Sequence, residues 1–255
     1  MTKRFREDDP DLNCWNPDSY SEAVQSRYAL EHKHYSLLKW IKELKKYGKK
    51  RVLDVGCGSG VVTLELVRSG FSTVSVDASK AMLNHLEKNL PENKRTDCRC
   101  VLADCKSLPF PDGFFDGILC FGLLHHVDDY EAAVREQIRT SAANGAIYIA
   151  EPYEHRPWIS YFYNIAMGIG KFIRNAIYAR QARMKEVPLN RTEVGRIVDL
   201  LKIHKFECEV QYLAYWPVAV SVLPQAIALM LTRLLNFLNF SAERGDSVLI
   251  AARKT

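Results

Sequence analysis

Apolar residues recur along this chain at two different periods, and the order in which those periods alternate predicts its architecture. Residues 20–47 carry Val24, Tyr28, Leu30, Leu37, Leu38, Ile41 and Leu44 at near-helical spacing, and Gly48 with the basic residues 49–51 ends that helix. Short apolar runs then alternate with helical stretches. Strands are expected at Arg51–Val55, 73–76, Cys98–Leu102, 117–121 and 146–150, with helices at 60–69, 79–90 and 130–140. A helix at 192–204, a strand at Phe206–Leu213 and a last strand at 247–252, placed at the sheet edge, complete the series. Strands alternating with helices imply an α/β fold, a mostly parallel seven-stranded sheet with helices on both faces.

The pattern also divides the chain. Residues 1–18 are polar and rich in Pro and Asp, which reads as a loose arm. The expected division is an arm and leading helix at 1–47, then one domain at 48–255. After Glu151 the alternation breaks. Residues 156–191 interleave aromatics, among them Trp158, Tyr161 and Phe172, with seven basic side chains against the single acid Glu186. Aromatics beside cations suit an amphiphile with an anionic head, or a membrane surface; a helical cap with solvated charges is the plainer alternative. Residues 215–240 form a long apolar stretch without any charge from 216 to 232. A membrane span is rejected, because Pro224 interrupts the run and the strand at 247–252 must return to the same sheet. Gln225, Thr232, Asn236 and Asn239 fall on one helical face and leave a wide apolar one. That face suits a lid over a hydrophobic ligand, a shallow peripheral membrane contact, or a homodimer contact. Both segments are expected to form a cap after strands five and six.

Composition narrows this picture in two ways. The net charge is +5, but residues 1–155 hold 21 basic and 23 acidic side chains, and residues 156–255 hold 14 and 7. The excess is too small for a dedicated nucleic-acid binder, and it sits beside the insertions. The seven cysteines are odd in number, and the N-terminus MTKRFREDDPD lacks the apolar core of a secretory leader, so a reducing, cytoplasmic setting is expected, with the membrane contact kept open. Cys98 and Cys100 would share one face of a strand, with Cys105 nearby. Zinc there competes with buried thiols acting as small apolar groups; the second reading is preferred, so no metal is expected.

The chemistry concentrates at strand ends. The segment VLDVGCGSG at 52–60 puts Gly56, Gly58 and Gly60 between a strand and a helix, where glycine permits a tight turn and close ligand approach. The helix N-terminus behind it offers free N–H groups to a phosphate or a carboxylate. Asp77, about twenty residues on, can accept from two ribose hydroxyls. Asp104 follows the third strand, where a carboxylate can take an adenine amine; for each aspartate alone, a helix cap is the competing role. Asp54, just before the loop, would repel a pyrophosphate, which counts against a dinucleotide oxidoreductase.

With these motifs in place, the sequence resembles the class I S-adenosylmethionine (SAM)-dependent methyltransferases, within the type 11 group of small-molecule enzymes. The likeness rests on VLDVGCGSG, VSVDAS, LADCKSLPFPDGFFDGILC and FGLLHHVDDYEAAVREQIR, over about residues 48–152. It implies a Rossmann-like fold and SAM as cofactor. By that resemblance Asp54, Gly56, Cys57, Gly58 and Gly60 would hold the methionine end, and Asp77 the ribose, with Ala78, Ser79 and Met82 beside it. Asp104 and Cys105 would hold the adenine, and the backbone near Phe121 would meet the methionine amino group. Tyr20, Arg27 and Tyr28 on the leading helix would close over the cofactor, with ordinary packing as the alternative. The usual Pro-Gly-Gly turn before the fifth strand is replaced by Ala143-Asn144-Gly145, a change of turn detail.

The expected activity is methyl transfer to a small acceptor, hydrophobic or lipid-linked, with oxygen slightly ahead of nitrogen and carbon. A quinone or isoprenoid C-methyltransferase and a non-catalytic SAM-binding protein are the alternatives. An RNA methyltransferase is disfavoured, because Phe121-Gly122-Leu123-Leu124 stands where a Pro-Pro-aromatic motif would follow the fourth strand. If the acceptor needs a base, His125 or His126 is the candidate, with Glu151 or His155 as partner. All four follow the ends of strands four and five, the edge at which ligands gather in open α/β sheets.

Overall fold

A computed structural model describes residues 17, 27–46, 48, 50–153, 189–213 and 247–255, the side chains of 27–36 and 213 excepted. Expectations for the 1–18 arm (residue 17 aside), for Tyr20, for His155, for nearly all of the 156–191 insertion and for the 215–240 insertion lie outside these residues.

The chain builds a seven-stranded sheet. Helix α1 (Arg27–Lys46) leads into β1 (Arg51–Val55), α2 (Val61–Arg68), β2 (Ser72–Asp77) and α3 (Lys80–Asn89). A 3-10 turn at Glu92–Asp97 precedes β3 (Cys98–Leu102) and β4 (Phe115–Phe121). A second 3-10 turn, Leu124–His126, precedes α4 (Tyr130–Thr140) and β5 (Ser141–Pro152), and α5 (Arg191–Ile203), β6 (Phe206–Leu213) and β7 (Ser247–Lys254) follow. The strand order is β3-β2-β1-β4-β5-β7-β6. Strands β1 to β5 pair in parallel, and β7 runs antiparallel to both its neighbours. The mostly parallel sheet is as expected. The position of the last strand is not: β7 lies inside the sheet, and β6 takes the edge.

The alternation of side chains along each strand sorts the core onto two faces. Leu53 and Val55 of β1, Ile118 and Cys120 of β4, and Ile147 and Ile149 of β5 face one side, where Val134 and Ile138 of α4 and Ile197 and Leu201 of α5 cover them. Val52, Leu119, Tyr148 and Leu249 face the other, under Leu37, Trp40, Ile41 and Leu44 of α1. The C-terminal half of α1 is therefore a packing helix. Arg27 and Tyr28 begin it.

Local signals fix the helix starts. Ser79 Oγ accepts from Met82 N–H at α3, and Asp129 Oδ1 accepts from Ala132 N–H at α4. Asn190 and Glu193 form a reciprocal capping box at α5. The Ala143-Asn144-Gly145 turn is absorbed into β5 as a bulge: Phe115 pairs with Ser141 and Gly117 with Ala146, so residues 142–145 oppose Asp116 alone. Asp116 itself works at the opposite end from the glycine loop. It accepts from Lys50 and Arg51 N–H, at 3.2 and 2.9 Å, and so ties the start of β4 to the start of β1.

Candidate active site

Four loops meet at the C-terminal edge of the parallel strands. After β1, the glycine loop hooks onto the end of β2: the N–H groups of Gly56 and Cys57 both donate to the Val76 carbonyl, at 2.8 and 3.0 Å. Gly56, Gly58 and Gly60 all have positive φ, at 70°, 52° and 88°. At Gly56 a Cβ would also stand 2.7 Å from Leu123 Cδ1, so the loop after β4 presses directly on the glycine loop.

Asp77 is the organiser of this corner. Its Oδ2 accepts from Gly58 N–H and its Oδ1 from Ser79 N–H, both at 2.8 Å. Each oxygen retains lone-pair capacity toward a ribose hydroxyl. Ser79 and Met82 are buried behind it, at 5% and 4% exposure, while Ala78 is partly exposed. Asp104 Oδ1 accepts from Lys106 N–H at 2.9 Å as a loop cap, on the same edge as Asp77. Beside it burial pushes the Cys105 thiol up to about 12. The Phe121 ring stacks on Tyr148 at 5.6 Å, on the α1 side of the sheet.

The electrostatics of the site point to a cation. Asp54 is 1% exposed, and its Oδ2 accepts from Thr63 Oγ1 at 2.6 Å. Burial, added to the nearby charge of Asp77, raises its carboxyl to about 7 against the hydrogen bond from Thr63. Burial also raises Asp77, against the N–H groups that it accepts from. Among the described residues no cation pairs with either carboxylate. Buried Asp54 and partly exposed Asp77, without a countercharge among the described residues, fit a positively charged ligand such as SAM better than a pyrophosphate.

On the acceptor side, Glu151 of β5 is 2% exposed and gathers the turn after β4. Leu123 and Leu124 N–H donate to its Oε1, at 2.9 Å each. His125 N–H approaches Oε2 at 3.4 Å, and the His125 ring lies at 2.7 Å through Nδ1. A carboxylate offers only acceptors, so Nδ1 is the ring nitrogen that carries the hydrogen of this contact. The exposed His126 lies ring to ring with His125, centroids 3.8 Å apart. The fold thus brings together His125, His126 and Glu151 of the four candidate catalytic residues.

Two further groups were not anticipated from the sequence. Lys106 Nζ donates to Asp128 at 2.6 Å, joining the loop after β3 to the loop after β4. Arg139 of α4 donates to the Leu108 and Phe110 carbonyls and to Asp112 and Glu136, which stitches the long 104–114 loop to the helix. Among the described residues no group of three or more His, Cys, Asp or Glu side chains could hold a metal ion, and no helix is long and apolar enough to cross a membrane.

Fold, strand order and the carboxylates at the ends of β1 to β3 fit an α/β domain that takes a nucleoside-containing, cationic cofactor. A family model described as a methyltransferase domain matches residues 53–149, and this segment is a class I SAM-dependent methyltransferase domain of the type 11 group. The chain is 36% identical over 103 residues to a malonyl-[acyl-carrier protein] O-methyltransferase of Halorhodospira halophila, which covers 40% of this chain and 34% of that protein. It is 32% identical over 102 residues to a demethylmenaquinone methyltransferase of Corynebacterium efficiens, covering 40% and 41%. The chain therefore spans less than half the length of these curated relatives. The crystal structure of the YcgJ protein from Bacillus subtilis superposes with a TM-score of 0.56 at 20% identity, over 87% of this chain and 98% of that one, and shares the fold.

Proposed function

We propose that this chain is a SAM-dependent methyltransferase acting on a small, hydrophobic or lipid-linked acceptor, with the acceptor's proton taken by the His125–His126 pair that Glu151 anchors. The observation that carries the reading is the Glu151 carboxylate, buried at the ligand edge of the sheet and committed to three backbone N–H groups and the His125 ring. SAM, when bound, supplies a methyl group made electrophilic by a sulfonium centre. Everything else falls to the protein. Asp54 and Asp77 would supply negative charge toward the cofactor, and the glycine loop would let it approach the backbone where side chains would block it. The turn Leu123–His126 fixes the reacting side of the cleft, and holding the acceptor there supplies much of the acceleration. A base is needed only where the acceptor atom still carries its proton at the moment of attack, as a hydroxyl does.

The acceptor class rests on the sequence of the two insertions. The aromatic and basic 156–191 segment suits an anionic head group, and the uncharged 216–232 run suits an apolar body, a peripheral membrane contact or a homodimer contact. A relative named for demethylmenaquinone, a quinone, supports a hydrophobic acceptor; one named for malonyl-[acyl-carrier protein] O-methylation supports oxygen. Titration calorimetry with SAM, followed by transfer of labelled methyl groups into cell extract split between aqueous and lipid phases, tests the reading. Binding with label in the lipid phase is expected. Binding without turnover on any fraction would make the protein a SAM binder rather than an enzyme. Co-sedimentation with anionic vesicles tests the membrane contact, and trimming residues 217–239 should abolish it.

A further inference from the structure

Cys98 and Cys100 stand two residues apart on β3, so the two-residue period of a strand turns both side chains to one face. On that face both lean on the small cluster of Cys57, Leu83 and Leu86. β3 is the outermost strand and pairs only with β2, and both thiols remain partly exposed. The pair is also wired inward. Cys98 Sγ lies 3.7 Å from Ser75 Oγ, which lies 2.9 Å from Thr63 Oγ1, which in turn donates to Asp54 Oδ2 at 2.6 Å. A thiol pair at the sheet edge and the buried carboxylate of the cofactor site are thus the two ends of one hydrogen-bonded chain.

The two sulfurs are not equivalent. The neighbouring Cys100 thiol holds Cys98 below its ordinary range, and Cys98 in turn, with burial, raises Cys100 above it. Cys57, Cys105, Cys120 and Cys208 are all raised, chiefly by burial. An acidic, accessible thiol beside a second thiol is the arrangement that oxidises reversibly.

We propose that Cys98 and Cys100 form a reversible oxidation site, with Cys98 as nucleophile toward a hydroperoxide and Cys100 as resolving thiol, and that closing the bridge weakens cofactor binding. In the first step the Cys98 thiolate attacks the peroxide: an S–O bond forms, the O–O bond breaks, and the departing oxygen takes up a proton as water or an alcohol. In the second, the Cys100 sulfur attacks Cys98: the S–S bond forms, the S–O bond breaks, and hydroxide leaves with the Cys100 proton as water. Two thiols are oxidised and one peroxide is reduced. A disulfide needs its Cβ atoms about 3.8 Å apart, closer than same-face neighbours on an extended strand, so β3 must pucker at Arg99. At an edge only one ladder resists that movement. The pucker draws Cys98 away from Ser75 and strains the Val76–Val101 and Asp77–Leu102 pairings that position Asp77 and Asp104. The effect on the cofactor rests on the SAM reading above; the thiol chemistry does not.

The test treats the reduced full chain with hydrogen peroxide, maps the product by peptide mass and titrates SAM before and after. Expected are a loss of about 2 Da in a Cys98–Cys100 peptide, reversal by dithiothreitol, and a SAM affinity lower by roughly tenfold. Cys100→Ser should trap a dimedone-reactive sulfenic acid at Cys98, and Cys98→Ser should leave Cys100 unreacted at the same dose. First oxidation at another cysteine, Cys57 included, or a bridge that leaves SAM affinity unchanged, overturns the proposal. If the reduced chain binds no SAM, the cofactor reading fails, and the mass arms still decide the thiol site.

Discussion

Nδ1 of His125 lies 2.7 Å from Oε2 of Glu151, and the two side chains are only 4% and 0% exposed. One carboxylate therefore sets both the imidazole and the backbone of the turn that carries it. Glu151→Ala would leave two or three N–H donors and a buried ring nitrogen unpaired, and the expected loss of stability is about 3 kcal/mol or more. Glu151→Gln keeps the shape but turns an amide N–H₂ toward donors, so its midpoint in urea should also fall. His125→Gln keeps a donor toward Glu151 but removes the base. If His125 is the base, kcat should drop by about 100-fold or more while SAM affinity holds. His126→Gln separates the two candidates: whichever substitution lowers kcat alone identifies the base. Unchanged turnover in both would leave positioning as the sole source of catalysis.

Asp54 gives the site a pH dependence with a definite sign. Its carboxyl is raised to about 7 in the folded chain, from an ordinary 3.8. Between those values the folded state binds the extra proton, so this group's contribution to ligand-free stability is full below about 4 and is lost as pH rises through 7. A cationic ligand prefers the ionised carboxylate. SAM affinity should therefore rise as pH increases through about 7, with proton uptake by buffer visible in calorimetry. Asp54→Asn should weaken SAM by roughly tenfold or more and flatten that profile. A profile in the variant that matches the native one would remove Asp54 from the cofactor site.

Gly56 and Leu123 should be energetically coupled. A Cβ at Gly56 meets the Leu123 side chain on a backbone with φ at 70°. Gly56→Ala is expected to destabilise by about 1–3 kcal/mol and to weaken SAM. Leu123→Ala on its own leaves a small void. The double substitution should recover the steric part but not the backbone strain, so a double-mutant cycle on thermal stability should show a coupling of about 0.5 kcal/mol or more.

The inner strands could be read from the sequence because buried parallel strands are short apolar runs, as at Arg51–Val55 and Phe115–Phe121. The edge strand was misplaced because chain order carries no information on strand order. The pattern did carry it: Val248, Leu249 and Ile250 are consecutive and buried, as an inner strand requires, whereas Glu207 and Glu209 alternate along β6 as an edge permits. The cofactor corner was legible because Asp54, Asp77 and the glycines belong to compact motifs. That Glu151 would serve the backbone of Leu123 and Leu124 was not, since those bonds join residues 28 and 27 positions apart.

Arg139 shows the same limit most fully, and it yields the last expectation. Its guanidinium donates to Phe110 O at 2.8 Å, Leu108 O at 2.9 Å, Asp112 Oδ1 at 2.7 Å and Glu136 Oε1 at 2.7 Å. Glu136 Oε2 in turn accepts from Leu108 N–H at 2.7 Å. Planar, forked donors fix the loop from Leu108 to Asp112 in a way an ammonium cannot. Arg139→Lys should therefore lose most of what Arg139→Met loses, about 1–3 kcal/mol by chemical denaturation. Asp104, Cys105 and Lys106 begin the loop that Arg139 holds, so both variants should also weaken SAM while leaving kcat at saturating cofactor near the native value. A kcat loss larger than the affinity loss would mean that the loop serves the acceptor instead.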